Sequence, residues 1–170
     1  MDEMSREAAS LTTHSEDLLR YFRRRVPDCD APDLLAETLT VAWRRIRLLP
    51  SEPIAARMWL FGIAHHVLAN HARGERRRLR LADRLRDMLG TAPAVPASDT
   101  GIEVRDAVER LQPMLRELIR LVHWDGFTLV QAAEIMQVPA STARTRYQHA
   151  KRELRTALEP HAASLSTPKP

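Results

Sequence analysis

The chain has 170 residues, of which 44% are hydrophobic and only 5% aromatic, and this content suffices for one ordinary domain or two small ones. It has only five glycines and no long window that alternates with period two, so we expect an all-α protein. Cys29 is the only cysteine, which excludes a disulfide framework and a cysteine-based zinc site. No run of 18 apolar residues is present and the N-terminus is acidic, so we predict a cytoplasmic protein without membrane insertion, metal or cofactor.

The net charge of +4 is unevenly distributed along the chain. Residues 71–86 contain seven arginines, and residues 140–155 contain four arginines and Lys151. Residues 28–43, by contrast, contain four carboxylates and no basic residue before the pair at 44 and 45. This asymmetry predicts that a polyanion binds at two places and a different partner, a protein, at a third.

Two helices are predicted in the first 46 residues. Thr13 and Glu16 have capping-box spacing at the start of the first helix, which Pro27 ends. The second helix begins with Asp30 as its N-cap. Its expected buried stripe is Leu35, Leu39, Ala42, Trp43 and Ile46. Its outer face carries Asp33 and Glu37 first and Arg44 last, an order that also complements the helix dipole and needs no partner to explain it.

A Pro-punctuated loop, 49–57, precedes a long helix predicted from Met58. Leu60, Ile63, Ala64, Val67 and Leu68 are expected inside, while one outer face carries His66, Asn70, Arg73 and Arg77. An arginine-dense amphipathic stretch follows Gly74. Residues 89–101 lack periodicity and contain two prolines, which predicts a flexible linker between two helical domains, 10–88 and 102–160; residues 161–170 are expected to form a disordered tail.

The second half is predicted to be a four-helix domain that contains a helix-turn-helix. Pro113 starts its second helix, and Gly126 suits the end of that helix. Thr128 and Gln131 form a capping box for the next one, and a turn at residues 137–139 precedes the last. The polar side of the last helix carries small hydroxyls, Arg and Gln, which contact phosphates and base edges: Ser141, Thr142, Arg144, Thr145, Gln148, His149 and Arg152.

Taken in order, three segments resemble the bacterial RNA polymerase sigma factors of the extracytoplasmic-function (ECF) family. They are DAPDLLAETLTVAWRRI (30–46), MWLFGIAHHVLANHARGERRR (58–78) and LQPMLRELIRLVHWDGFTLVQAAEIMQVPASTARTRYQHAKRELRTAL (111–158). The resemblance implies a non-enzymatic transcription initiation factor with no catalytic residue. It also implies binding to core RNA polymerase, at the β′ clamp coiled coil and the β flap, and to promoter DNA, with an anti-sigma factor as a further partner.

The resemblance also implies a role for each set of residues. Those expected to bind core polymerase are Asp33, Glu37, Arg44 and Arg45. Those expected to read and melt the −10 element are Trp59, His66, Asn70, Arg73, Arg76, Arg77 and Arg78, next to a loop that captures a flipped-out base. The face of the last helix described above matches the −35 reader.

Several residues of this chain differ from those that are frequent at the same positions in the family. His65 and His66 stand where many members have Arg-Asn, and Asn70 stands where Asp is common. Leu115 replaces a frequent Gln, Ala132 a frequent Ile and His149 a frequent Arg. These changes leave the fold expectation intact, but known −10 and −35 preferences are not transferable to this chain.

Two other interpretations compete with this one. A stand-alone helix-turn-helix regulator would explain residues 126–158 equally well, but it needs a ligand or dimerisation domain in the first half. A metalloenzyme would use the histidines at 65, 66 and 71, yet the required carboxylate spacing is missing. Tryptophans such as Trp43 and Trp59 are more often core anchors than base-stacking platforms, but Trp59 adjoins the loop of the predicted −10 site and is kept in that set.

Overall fold

The computed structural model describes residues 11–89 and 103–164, with side chains from 11–84 and 104–158. All regular structure in these two ranges is helical, which confirms the all-α prediction. The chain divides into two compact units, one in each range. None of the described helices combines the length and the apolar character needed to cross a membrane.

The first unit contains α1 (Ser15–Arg23), α2 (Ala31–Arg44), a short 3-10 turn (Ile46–Leu48) and α3 (Pro53–Leu89). Its core is built around Tyr21, which is fully buried and meets Phe22 and Phe61 edge-on, with ring centroids 5.2 and 5.3 Å away. Edge-to-face geometry of this kind adds about 0.5–1.5 kcal/mol to the burial of each ring pair. These three rings therefore fix α1 against the first turns of α3.

The predicted capping box at the start of α1 is wrong. Residues 11–13 are already helical, and the N-cap of α1 is His14, whose side chain makes no capping hydrogen bond. Ser15 instead donates its hydroxyl to the carbonyl of Leu11, at 3.1 Å. Thr13 is not a helix start because a preceding helical turn supplies the backbone partners that a cap would otherwise provide.

The buried stripe of α2 lies one residue earlier than expected, on Ala31, Leu34, Thr38 and Ala42. Leu35 and Leu39 are only half-buried, and Trp43 is 48% exposed, so its assignment as a core anchor was wrong. The physical reason is Thr38, whose hydroxyl donates to the carbonyl of Leu34 at 2.7 Å. A threonine satisfied in this way can be buried, although the sequence pattern counts it as polar.

Asp30 is the N-cap of α2 by position, as predicted, but its side chain makes no capping hydrogen bond. One carboxylate oxygen lies 3.7 Å from Nε2 of His71, and the other lies 3.5 Å from the exposed thiol of Cys29. The carboxylate of Asp30 therefore faces α3 and the loop rather than the helix end.

Helix α3 starts at Pro53 rather than Met58 and runs without a break through Gly74 to Leu89. Glu52 explains the early start, because its carboxylate accepts a hydrogen bond from the amide of Ala55 at 2.7 Å, and Pro53 is pre-organised for the first helical position. The predicted loop thus shrinks from 49–57 to 49–52. Residues 88 and 89, near the expected start of the linker, are helical, and residues 90–101 lie outside the described residues.

The second unit comprises α4 (Glu103–Arg110), α5 (Pro113–His123), α6 (Leu129–Ile135) and α7 (Ala140–Ser164), as the four-helix prediction requires. A central cluster joins α4, α5 and α7, with Tyr147 and Leu154 packed against it: Val108, Leu111, Leu115, Ile119 and Ala150. Helix α6 packs on both α5 and α7. The last helix therefore shares its apolar side with all three others.

Turn chemistry in this unit follows the sequence closely. Gly126 has a positive φ of 75°, and the Thr128–Gln131 capping box is present with both of its hydrogen bonds. Gln137 adopts the left-handed conformation, with φ 54°, directly after α6. These three positions fix the turns on either side of α6.

Helix α7 extends to Ser164, although a disordered tail was expected from residue 161. Pro160 has no amide hydrogen and cannot bond to the carbonyl four residues earlier, which made it resemble a helix end. The alanines at 162 and 163 have the highest helix propensity and favour continuation past that gap. Residues 165–170 lie outside the described residues, as does residue 10.

Candidate polymerase and nucleic-acid interfaces

The polar face of α7 is exposed along its first four turns. Ser141, Arg144, Gln148 and Arg152 are all exposed, and they lie opposite the buried Ala143 and Ala150. This is the face for which the sequence predicts contact with DNA. Backbone amides at the N-terminus of the same helix add a positive partial charge that favours phosphate.

Three of the predicted −35 residues are less accessible to DNA than the others, because they are partly buried or already have a partner within α7. Thr142 is half-buried. The hydroxyl of Thr145 donates back to the carbonyl of Ser141 at 3.2 Å, and Nε2 of His149 lies 3.3 Å from the carboxylate of Glu153. Arg144, Gln148 and Arg152 are therefore the long side chains best placed to reach base edges.

Tyr147 holds α7 in place against α5. Its hydroxyl lies 2.9 Å from Nε2 of His123, and the two rings stack with centroids 5.9 Å apart. The contact fixes the rotation of α7 about its axis, so the direction in which the polar face points depends on it.

The second candidate surface is a cationic ridge along α3. We define the ridge as the exposed residues that fall within about 60° of one line along the helix, at about 100° per residue: His66, Asn70, Arg73, Arg76, Arg77, Arg80 and Arg84. Asn70 accepts a hydrogen bond from Arg73 through its side-chain oxygen, which positions that guanidinium. Arg76 and Arg80 each donate Nε to the carbonyl four residues earlier, at 3.1 and 3.2 Å.

Two predicted −10 residues, Arg78 and Trp59, fall outside the ridge, and two residues of the ridge were not predicted. Arg78 projects from the opposite side of α3 and forms an ion pair with Glu75 at 2.5 Å. Arg80 and Arg84 lie on the ridge, and the i, i+4, i+7 series that selected Arg77 would have found both had it been continued. Trp59, also predicted for this site, is half-buried near the start of α3.

The third candidate surface is the outer face of α2. Asp33, Glu37 and Arg44 are exposed and share one side of this helix, and Arg45 follows directly after its end. Trp43 borders the same side. A shallow groove next to it is lined by Leu11, Thr12, Ser15, Leu39, Thr40 and Trp43. A charged face with an exposed indole at its edge has the composition of a protein-binding surface.

Among the described residues, no group of three His, Cys, Asp or Glu side chains is arranged to hold a metal ion. His65, His66 and His71 lie along one helix; the rings of the first two are 6.2 Å apart, and His71 approaches Asp30. The sites that the structure does present are three helix faces, one of mixed charge and two cationic.

Comparisons with known proteins show that both helical units match families of RNA polymerase sigma factors. Residues 11–78 match the family Sigma-70 region 2, and residues 102–154 match Sigma-70, region 4. The probable RNA polymerase sigma-C factor of Mycobacterium bovis is 30% identical over 157 residues, which cover 89% of this chain and 83% of that protein. The ECF RNA polymerase sigma factor SigL of Mycobacterium tuberculosis is 28% identical over 158 residues, which cover 86% of this chain and 85% of SigL.

The fold is also that of a solved sigma factor. The sigma factor RpoE of Bartonella quintana, in its complex with the anti-sigma factor NepR, superposes with a TM-score of 0.63. The match covers 92% of this chain and 96% of RpoE, at 21% identity.

Two helical units, the second with a helix-turn-helix, define a transcription initiation factor of the sigma type. The chain belongs to the ECF sigma factors of bacterial RNA polymerase. It directs the polymerase to promoters, and the alternative of a stand-alone helix-turn-helix regulator is not favoured.

Proposed function

We propose that the three helix faces divide the work of promoter recognition. The polar face of α7 reads the −35 element as duplex DNA, the cationic ridge on α3 engages the −10 region, and the outer face of α2 docks on the β′ clamp coiled coil. The observation that carries this proposal is the exposure of all three faces on helices whose opposite sides are buried.

On α7, Arg144 is the residue proposed to read a base. It is exposed in the first two turns, where a helix in the major groove comes closest to base edges. An arginine that bonds to guanine O6 and N7 contributes about 1–3 kcal/mol to discrimination against the wrong base. Ser141 and the amides at the helix start then hold the phosphates on either side.

On α3, His66 and Asn70 are proposed to lie next to the melted −10 strand, close to the packed half of the helix. The loop before α3 is reduced to residues 49–52, so a flipped base would be held between this short loop and the side of α3 that carries Trp59. Unstacking a base costs a few kcal/mol, which contacts in such a site must offset. Arg73, Arg76 and Arg77 supply charge for the backbone of the same strand.

On α2, docking is proposed for Asp33, Glu37, Arg44 and Arg45, with Trp43 added because it is exposed at the border of this face. The β flap would contact the second unit. An anti-sigma factor is a further proposed partner, by analogy with the complex of RpoE and NepR. The protein would act in the cytoplasm, with the polymerase, and contribute no catalytic group.

The test is run-off transcription with purified core polymerase and this protein on genomic promoter templates. We expect discrete start sites that depend on the added protein. Arg144→Ala should weaken initiation by about 1–3 kcal/mol on a template with an intact −35 element, which is about 5- to 150-fold.

A matched template with a scrambled −35 block separates base reading from phosphate contact. On that template Arg144→Ala should have little further effect. An equal loss on both templates would instead assign Arg144 to the DNA backbone, and no specific transcript from the wild-type protein would refute the proposed function itself.

A further inference from the structure

The last third of α3 extends beyond the part of the chain that matches sigma region 2. That match ends at residue 78, the match to region 4 begins at residue 102, and the helix continues to Leu89. Arg80 and Arg84 are on this extension, and both are exposed.

Arg80 and Arg84 continue the line of the ridge without a change of direction. Relative to Arg73, they are rotated by about 20° to either side, at about 100° per residue. From His66 to Arg84 the ridge is about 27 Å long, at about 1.5 Å per residue. A rod of this length, with a cation at nearly every turn, can contact several phosphates of a nucleic acid at once.

Arg80 is exposed, and its Nε donates to the carbonyl of Arg76 at 3.2 Å. That bond uses one of the five N–H donors of the guanidinium, so the two terminal nitrogens can donate to an anion. Arg78, only two residues away, is on the other side of α3 and forms an ion pair with Glu75. Arg78 and Arg80 thus lie on different sides of α3, and only the side with Arg80 and Arg84 continues the ridge.

The chemistry of the extension favours double-stranded over single-stranded DNA. Sites for single strands combine cations with aromatic side chains on which bases stack. The described part of the extension, residues 79–84, contains no aromatic residue on which a base could stack, so its two arginines are expected to contact phosphates. Leu79 and Leu81 are exposed beside them and offer no base-specific hydrogen bond.

We propose that Arg80 and Arg84 bind the phosphate backbone of duplex promoter DNA next to the melted −10 region. The two arginines form a clamp that adds affinity without sequence preference. The proposal rests on the sigma function proposed above, because it takes the DNA to be delivered in the polymerase complex.

The experiment measures promoter binding by the reconstituted holoenzyme as a function of salt concentration. Each phosphate contact on duplex DNA contributes about 0.9 to the slope of log K against log salt. Relative to the wild-type protein, Arg80→Gln should therefore lower the magnitude of the slope by about 0.9, and the double variant R80Q/R84Q by about 1.8.

Arg110→Gln is the matched control, since it removes the same charge from an exposed arginine that lies outside all three candidate surfaces and forms an ion pair with Asp106. It should leave the slope unchanged. The same measurements on a template that is single-stranded throughout the −10 region and has no duplex beside it should show no difference between R80Q/R84Q and the wild type.

Three outcomes would overturn the proposal: an unchanged slope for R80Q/R84Q, an equal change for R110Q, or a change confined to the single-stranded template. Run-off transcription by the wild-type holoenzyme at low salt distinguishes these failures from failure of the proposed function. If the wild type initiates at discrete sites while the slopes do not differ, only the clamp is refuted.

Discussion

Gln137 has a left-handed backbone conformation that is unfavourable for a non-glycine residue and is held by the turn after α6. Its φ of 54° is stabilised by a Schellman arrangement, in which Val138 donates its amide to Ala133 at 2.9 Å and Gln137 to Glu134 at 3.0 Å. The left-handed conformation costs a non-glycine residue about 1–2 kcal/mol. Glycine avoids that cost but loses about 0.5–1 kcal/mol more in conformational entropy.

We therefore expect Gln137→Gly to raise the free energy of unfolding by about 0.5–1 kcal/mol. Gln137→Val should lower it, because a β-branched side chain is worse still at positive φ. Urea unfolding of both variants checks this pair of opposite effects. A lower midpoint for Gln137→Gly would show that the glutamine side chain stabilises the turn by a contact of its own.

The residues that were predicted well are those whose role is local. The signals at Gly126, Thr128 and Pro113 depend on a few neighbouring backbone groups, and each was found at its predicted position. Thr38 and Trp43 differ from their expected burial because packing and a hydrogen bond to another turn set their environment. A sequence pattern ranks faces by hydrophobicity and cannot foresee such pairings.

At the scale of elements, α1 and α3 meet at a small charged cluster of His14, Asp17 and Arg57. Arg57 lies 3.5 Å from Asp17, and Arg20 donates to the same carboxylate at 2.5 Å. Burial lowers the pKa of His14 below its ordinary 6.5, and the charge of Arg57 lowers it further, against the opposing effect of Asp17. The pKa of Asp17 lies below 3.8 although burial opposes this, because Arg20 and Arg57 favour the ionised form.

Both shifts make the first unit less stable in acid. Unfolded His14 takes up a proton near pH 6.5 while folded His14 remains neutral to a lower pH, so stability falls as the pH drops through this window. Asp17 has the same sign below pH 3.8, where the unfolded carboxyl is protonated first. The cluster is largely exposed to solvent, so screening keeps each contribution small.

His14→Gln should therefore flatten the pH dependence of stability between pH 7 and 5. Urea unfolding followed by the fluorescence of Trp43 and Trp59, in a Trp124→Phe background, reports on the first unit alone. His66→Gln serves as the control because its ring is exposed and lies outside the cluster. Equal pH slopes for His14→Gln and the unsubstituted background would contradict the assignment.

At the scale of the whole molecule, the protein must bind the polymerase before its DNA surfaces can act together. Two modest DNA contacts that are carried on one assembly gain from a high effective concentration. The docking face proposed on α2 would therefore control both of them. Its exposed carboxylates make it the most direct place to separate binding to the polymerase from binding to DNA.

The double charge reversal Asp33→Lys and Glu37→Lys should weaken retention of the protein on immobilised core polymerase. Across such interfaces, like-charge contacts cost several kcal/mol. Glu16→Lys with Asp28→Lys is the matched control, because these carboxylates are exposed but lie outside the docking face. Equal retention of the two double variants would show that α2 does not dock through its acidic end.

The length of α3 has a consequence for how firmly its arginines are held before DNA arrives. Residues 75–84 include no buried side chain, so this part of the rod gains nothing from a core and depends on the packed first half as its nucleus. A helix of fewer than about 12–15 residues is marginal in water by itself. The C-terminal end of α3 should therefore fray with rising temperature while the rest of the unit stays intact. Part of the free energy of phosphate binding would then be used to re-form the frayed end of the helix.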